Sequence, residues 1–113
     1  GYPAGELKHG PLAAIGFHAT CLYLAPQKEL FDKNVSTMRE IMARDSHIIT
    51  ITQEGLDFPK DTYDNIIYLP KAPDYLQPIL AVIPLQFFSM YMAQSHQYNV
   101  DRPRHLAKSV TVE

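Results

Sequence analysis

Three short apolar runs, rich in β-branched and aromatic residues, punctuate the chain and predict buried β-strands. They cover residues 20–25 (TCLYLA), 47–52 (HIITIT) and 65–69 (NIIYL). Strands that are apolar almost without interruption are typical of parallel sheets covered on both faces. The polar residues 53–64, between the second and third runs, predict a loop with room for one short turn of helix.

Helical patterns alternate with these runs. Residues 4–9 resemble the last part of a helix, which Gly10 and Pro11 then stop. Residues 28–44 predict a complete helix, because apolar side chains recur at helical spacing and arginines lie near the end, where the helix dipole favours them. The apolar positions of that helix are Phe31, Val35, Met38, Ile41 and Met42.

The last predicted helix, residues 75–96, lies in a stretch without Asp, Glu, Lys or Arg that extends to Tyr98. A membrane span needs about 20 predominantly apolar residues. The polar residues and prolines that interrupt this stretch are Gln77, Pro78, Pro84, Gln86, Ser89, Gln94, Ser95, His96 and Gln97. We therefore predict a helix buried within a soluble protein, kinked at Pro84 because proline removes a backbone donor.

The order of elements is helix end, strand, helix, strand, loop, strand, helix and tail, and it predicts the α/β class. Strand–helix–strand segments joined by right-handed crossovers form a parallel sheet, so we expect a three-layer αβα sandwich. Three strands make a thin sheet, whose edge stays unpaired unless a missing segment or a partner supplies more strands. The sequence also lacks an initiator methionine. We therefore expect the chain to begin inside a larger protein.

Length and charge narrow the classes of function. A chain of 113 residues forms at most one domain. Its formal net charge of −2 gives no reason to expect nucleic acid or an anionic membrane as a partner. The single cysteine, Cys21, excludes an internal disulfide and fits a reducing compartment, so we expect a cytoplasmic location.

We predict no metal site. His18, His47 and His96 have no ligand spacing between them, and Cys21 is too isolated in the sequence to complete a zinc site. Because Cys21 lies in a predicted buried strand, we expect its thiol to be inert packing rather than a nucleophile. The sequence also has no Gly-rich phosphate loop of the P-loop or dinucleotide-binding type.

Two segments, one at each end of the chain, resemble the same enzyme family. Residues 4–13 read AGELKHGPLA, and residues 100–113 read VDRPRHLAKSVTVE. Both are similar to segments of the isomerising glutamine–fructose-6-phosphate aminotransferases (glucosamine-6-phosphate synthases), whose chains end in VD-x-PRNLAKSVTVE. The first segment recurs in several sugar-isomerase (SIS) proteins, whereas the ending is highly specific. His105 stands where the family usually has Asn.

The resemblance implies a fold, a division of the chain and a reaction. The fold is a doubly wound α/β domain of flavodoxin-like type, the SIS domain. Residues 1–97 would form the C-terminal part of the second SIS domain, with its later strands only, and residues 98–113 would form a C-terminal active-site tail. The family makes glucosamine 6-phosphate from fructose 6-phosphate and glutamine-derived ammonia, without a redox cofactor, pyridoxal or a metal.

Lys108 is the first candidate catalytic residue. A terminal lysine is ordinarily solvated, but Leu106, Val110 and Val112 suggest that this one lies in a packed tail. An amine in an apolar setting loses its proton more readily and can form a Schiff base with a sugar ketone. In the family, the lysine matching Lys108 forms such an adduct with open-chain fructose 6-phosphate, and the residue matching Ala107 contacts the sugar.

His9 is the second candidate catalytic residue. The helix dipole favours a histidine in the last turn of a helix, and its imidazole can transfer protons near neutral pH. In the family, the histidine of KHGP assists ring opening and reaches the active site from the neighbouring subunit. The resemblance thus implies a homodimer with shared active sites, and a sugar phosphate (fructose 6-phosphate or glucosamine 6-phosphate) as ligand.

Other charged residues near the two segments are given structural roles. Glu6 and Lys8 stand two positions apart and do not share a helix face, so we expect Glu6 to be structural and Lys8 to lie on the surface. Arg102 and Arg104 could contact a phosphate, but we expect them to pair with nearby acidic residues or to fix the tail.

Three catalytic parts of the family are missing from this sequence. They are the proton-shuttling glutamate, a second lysine just before it, and the phosphate-binding loop of the first SIS domain, so we expect the isolated chain to be inactive. Two alternatives stay open: a non-enzymatic SIS-type regulatory domain that binds a sugar phosphate, and an α/β fragment with a structural role only. A sensor has no need of a Schiff-base lysine at its terminus, so the LAKSVTVE ending favours the enzyme.

Overall fold

Three parallel strands form the sheet, as the apolar runs predict. In the computed structural model, which describes residues 1–102, they are β1 (Thr20–Leu24), β2 (His47–Gln53) and β3 (Asn65–Leu69). The strand order is β1-β2-β3 and both pairings are parallel. The ends of β1 and β2 differ by one residue from the predicted ends, which is the ordinary uncertainty of element boundaries. The predicted parallel sheet of an α/β protein is confirmed.

The central strand, β2, is the most buried element of the sheet. Ile48 and Ile51 are almost completely buried, and so are Thr50 and Thr52, although they are polar. The Thr52 hydroxyl donates a hydrogen bond of 2.8 Å to the carbonyl oxygen of Ala25, just after β1. The Thr50 hydroxyl oxygen, by contrast, is buried without a hydrogen-bond partner among residues 1–102, so its burial carries a free-energy cost.

Helix α1 (Phe31–Met42) packs on the sheet through the side predicted from its periodicity. A short 3₁₀ turn, Lys28–Leu30, precedes it, so the α-helical part is shorter than the predicted 28–44. Met38 and Ile41 are buried in one apolar cluster with Ile48 of β2. The helix ends in a turn in which Asp45 has a positive φ of 55°, a conformation that Asp tolerates better than most residues.

Irregular segments contribute to the same core. The segment before β1 forms two short 3₁₀ helices, Ala4–His9 and Pro11–Ala14, where the sequence indicated the end of a helix. The loop between β2 and β3 contains one 3₁₀ turn, Lys60–Thr62, as expected. That loop also buries three large apolar side chains in the core: Leu56, Phe58 and Tyr63.

Helix α2 (Gln77–Ser95) follows β3 after a 3₁₀ turn and contains Pro84. The chain divides into two compact units, Gly1–Ala81 and Val82–Glu113, so the first turn of α2 belongs to the first unit and the rest to the second. Proline has no N–H, so the carbonyl oxygen of Leu80, four residues before Pro84, lacks its usual helical donor.

The prediction that the last helix is buried is wrong for this chain. Large apolar side chains along α2 are exposed, among them Ile79 (62 %), Phe87 (52 %) and Tyr91 (60 %). By length and composition alone, Asp74–Ser95 could cross a membrane, and 11 % of its most apolar window is buried. The absence of charged residues indicates that a helix is buried in an apolar environment. It does not show that the residues that pack on the helix belong to this chain.

Candidate functional site

The histidine predicted to be catalytic lies at the end of the first 3₁₀ helix. His9 is exposed, whereas Leu7, two residues earlier, is buried in the apolar core. Gly10 follows with φ of 148°, a left-handed conformation that glycine adopts without the steric cost of a Cβ. The chain therefore turns sharply after His9 and leaves the imidazole on the surface of the described residues, where it could exchange protons with a ligand or a partner.

Lys8 has a partner that the sequence did not predict. Its Nζ lies 2.8 Å from Oε1 of Glu40, in the last turn of α1. The Lys8 side chain is 64 % exposed, so the expected surface position is correct, and that of Glu40 is 30 % exposed. Thirty-two positions separate the two residues, and no local spacing signals a contact over that distance. Glu6 is exposed and not part of this ion pair.

A second ion pair lies beside the first on α1. Arg39 Nε donates to Oδ2 of Asp61 over 2.9 Å, and both side chains are more than half exposed. The hydrogen bond from the Arg39 guanidinium holds the pKa of the Asp61 carboxyl below its ordinary value. Adjacent residues of α1 thus hold two different segments: Glu40 pairs with the segment before β1, and Arg39 with the loop before β3.

A network of buried amides joins the C-terminal ends of the three strands. Gln77 Nε2 donates to Oε1 of Gln53 (3.0 Å) and to the carbonyl oxygen of Ala72 (3.1 Å). Gln53 Nε2 in turn donates to the carbonyl oxygen of Pro26 over 2.6 Å. Oε1 of Gln77 is buried without a hydrogen-bond partner among the described residues. In α/β folds this end of the sheet is where ligands bind, but here the network connects parts of the chain to each other.

The candidate residues of the tail lie outside the described residues. Lys108 and Ala107 belong to residues 103–113, as do Arg104 and His105. The last described residues form a turn in which Asn99 Oδ1 accepts hydrogen bonds from the backbone N–H groups of Asp101 (2.9 Å) and Arg102 (3.0 Å). No ion pair joins Arg102 to a carboxylate within residues 1–102.

The remaining titratable side chains form no further site in the part of the chain that is described. Within residues 1–102, no group of three His, Cys, Asp or Glu side chains is placed to hold a metal ion. His47 Nδ1 lies 3.5 Å from Asp64 Oδ1, while the other carboxylate oxygen of Asp64 accepts the backbone N–H of Ile48. Cys21 is partly buried, with its sulfur 3.6 Å from the Ser46 hydroxyl.

Comparison with protein families identifies a match over most of the chain. Residues 1–95 match the SIS domain model, so the match includes all three strands and α2. A helix that belongs to a domain of this family is better explained as part of that domain than as a membrane span.

Curated relatives match over the whole chain. A glutamine–fructose-6-phosphate aminotransferase (isomerizing) of Clostridium tetani is 46 % identical over 112 residues, which are 99 % of this chain and 18 % of the relative. The enzyme of the same name from Aquifex aeolicus is 40 % identical over 113 residues, which are 100 % of this chain and 19 % of the relative. The chain thus spans about a fifth of the length of the relatives it matches. The resemblance inferred from the two end segments is confirmed.

A solved structure has the same fold. The C-terminal domain of glucosamine-fructose-6-phosphate aminotransferase from Francisella tularensis is similar with a TM-score of 0.80 and 33 % identity. The likeness covers 90 % of this chain and 29 % of that domain. The predicted α/β fold of SIS type, represented by its later strands, is confirmed.

Proposed function

Because the chain belongs to the SIS domain family, we propose that it forms the C-terminal part of the isomerase half of a glutamine–fructose-6-phosphate aminotransferase. The observation that carries the proposal is the similarity of the whole chain, tail included, to enzymes of that name. The whole protein would convert fructose 6-phosphate and glutamine into glucosamine 6-phosphate and glutamate, in amino-sugar biosynthesis. Its ligands would be these sugar phosphates.

In this proposal Lys108 holds the sugar in its open-chain form. Its neutral amine attacks the C2 ketone of fructose 6-phosphate and water leaves, which gives a Schiff base. Ammonia then displaces the lysine and leaves an imine at C2. A proton then moves from C1 to C2, and the proton of the C1 hydroxyl is transferred to the imine nitrogen, which produces the C1 aldehyde and the C2 amine of the product. The group that moves this proton belongs to the part of the enzyme that precedes this chain, so the isolated chain should be inactive.

His9 is proposed to open the sugar ring. Fructose 6-phosphate is mainly a cyclic hemiketal, so its C2 ketone is formed when a proton leaves the anomeric hydroxyl and another reaches the ring oxygen. An imidazole can move protons at neutral pH. The exposed position of His9 supports a role in an active site completed by other parts of the enzyme, and we propose a homodimer in which His9 serves the neighbouring subunit. A cytoplasmic location belongs to the same proposal.

The test of this function is a chimera in which the chain replaces the matching segment of the Clostridium tetani enzyme, to which it is 46 % identical. We expect the chimera to form glucosamine 6-phosphate and Lys108→Met to abolish turnover while sugar-phosphate binding persists. A second chimera, with the Aquifex aeolicus enzyme as host, repeats the test. If both chimeras fold but neither forms glucosamine 6-phosphate, the proposal is wrong.

The same variant separates the enzyme from the alternative, a non-enzymatic sensor of sugar phosphates. A sensor needs the sugar to bind but not to react, so Lys108→Met would hardly change its response. The isolated chain provides the second control, because turnover of fructose 6-phosphate and ammonia by these 113 residues alone would show that the missing parts are not needed.

A further inference from the structure

The segment that carries His9 is held by few contacts of its own. Ala4–His9 is a 3₁₀ helix, whose hydrogen bonds are poorer in geometry than those of an α-helix. Leu7 is its buried residue and anchors it in the apolar core, against which Ala4 also packs, partly buried. Apolar contacts are not directional, so these two contacts limit the distance of the segment from the core more than its rotation.

The ion pair between Lys8 and Glu40 is a directional contact, and it can restrict the rotation of this segment. The contact of 2.8 Å is short enough to be a charge-assisted hydrogen bond. Glu40 lies on α1 between Met38 and Ile41, both of which are buried, so its backbone is firmly fixed. Lys8 directly precedes His9, and the turn at Gly10 directly follows it. The Lys8 side chain thus connects the residue next to His9 to a helix that packs on the core.

We propose that Glu40, through its ion pair with Lys8, is a positioning residue for His9. This inference rests on the proposed function, in which His9 opens the sugar ring. Glu40 does not touch the substrate; it restricts the rotation of the 3₁₀ helix, so that the imidazole spends more time in the orientation that the reaction needs.

The first measurement compares Glu40→Gln with Arg39→Gln in the Clostridium tetani chimera. Arg39 is the adjacent residue of α1 and its ion pair with Asp61 is of similar length, so it is a matched control that does not involve the His9 segment. We expect Glu40→Gln to lower kcat about two- to fivefold, the range that a partly exposed ion pair can support, with KM changed less. Arg39→Gln should leave kcat unchanged.

The second measurement asks whether the effect passes through Lys8 and His9. Lys8→Met should lower kcat as much as Glu40→Gln, and combining the two should add nothing further. Exchanging the charges, with Lys8→Glu and Glu40→Lys together, should recover part of the loss. In a His9→Ala background, Glu40→Gln should have no effect, whereas a merely structural role would lower the residual activity in both backgrounds.

Each outcome separates the inference from the function on which it rests. If His9→Ala leaves turnover intact, the proposed role of His9 is wrong. If His9→Ala lowers turnover but Glu40→Gln matches the parent chimera, only the positioning role is wrong. A loss with Lys8→Met that Glu40→Gln does not reproduce would overturn it as well, since Lys8 would then act directly.

Discussion

Tyr23 and Asn34 form a buried polar contact between β1 and α1. The phenol donates to Oδ1 of Asn34 over 3.1 Å, and both residues are less than one-tenth exposed. A buried amide oxygen that loses its donor still carries the free-energy cost of desolvation, and no hydrogen bond then offsets that cost. This contact therefore adds a directional hydrogen bond to the apolar packing between α1 and the sheet.

Removing the Tyr23 hydroxyl should reveal this cost. We expect Tyr23→Phe to lower the free energy of unfolding by about 1–3 kcal/mol, because Asn34 Oδ1 would remain buried and unpaired. The double variant Tyr23→Phe with Asn34→Leu removes both polar groups and should recover much of the loss. Urea denaturation monitored by circular dichroism measures both; equal stability of Tyr23→Phe and the parent chain would show that water replaces the donor.

The same phenol predicts a dependence of stability on pH. Burial raises the pKa of Tyr23, so the folded state favours the neutral phenol more than the unfolded state does. The resulting stabilisation is fully present below the unfolded pKa of about 10 and is lost as the pH rises through the folded pKa. The difference in unfolding free energy between the parent chain and Tyr23→Phe should therefore shrink between pH 8 and pH 11, and a difference that grows would contradict this assignment.

At the scale of single residues, the sequence predicted which apolar side chains are buried better than it predicted which residues contact each other. Periodicity placed Met38 and Ile41 in the core correctly, because burial of apolar side chains follows helical spacing. It could not find Asn34, a polar residue on the buried side, or Glu40, whose partner is 32 positions away. The contacts of both residues depend on how separate elements pack against each other, which the local sequence pattern does not determine.

Among the elements, the start of α2 depends on the buried amide of Gln77. This side chain is 1 % exposed and donates to Gln53 at the end of β2 and to the backbone at Ala72, after β3. Its own side-chain oxygen lacks a hydrogen-bond partner among residues 1–102. The two hydrogen bonds that it donates fix the first turn of the helix against the strand ends.

We expect Gln77→Ala to lower the free energy of unfolding by about 1–3 kcal/mol, because one buried acceptor and one partly buried acceptor lose their donor. Gln86→Ala, at an exposed position of the same helix, is the matched control and should change it by less than about 0.5 kcal/mol. Urea denaturation compares the two; equal effects would mean that the amide network contributes no stability beyond that of an exposed glutamine.

The elements themselves were predictable where their pattern is periodic. β3 has the predicted bounds and α1 lies within the predicted range, since alternating short strands and amphipathic helices have strong local signals. The loop residues Leu56, Phe58 and Tyr63 are also buried, but an irregular segment has no period from which burial could be inferred. For α2, the composition predicted the helix correctly, but it wrongly predicted that the helix is buried within this chain.

In the molecule as a whole, α2 presents uncharged apolar surface to solvent. Phe87 and Tyr91 stack with their ring centroids 6.2 Å apart, and each is at least half exposed. Contiguous exposed apolar surface of this kind marks an interaction site. Relatives about five times as long as this chain have residues that could cover it.

The isolated chain should therefore self-associate through α2. We expect its average mass in analytical ultracentrifugation to rise with concentration, and Phe87→Glu to lower that mass by adding a charge and removing apolar area. Gln86→Glu adds the same charge beside it but removes no aromatic ring, so it should have a smaller effect. A monomer at every concentration would contradict this account.

The proposal that Lys108 is the Schiff-base lysine of a fructose-6-phosphate aminotransferase is tested most directly by trapping the adduct. The Clostridium tetani chimera would be incubated with fructose 6-phosphate, reduced with borohydride and mapped by peptide mass spectrometry, with Lys108→Arg as the control. We expect a sugar adduct on Lys108 that the Lys108→Arg variant lacks. Turnover without an adduct, or an adduct only on another lysine, would contradict it.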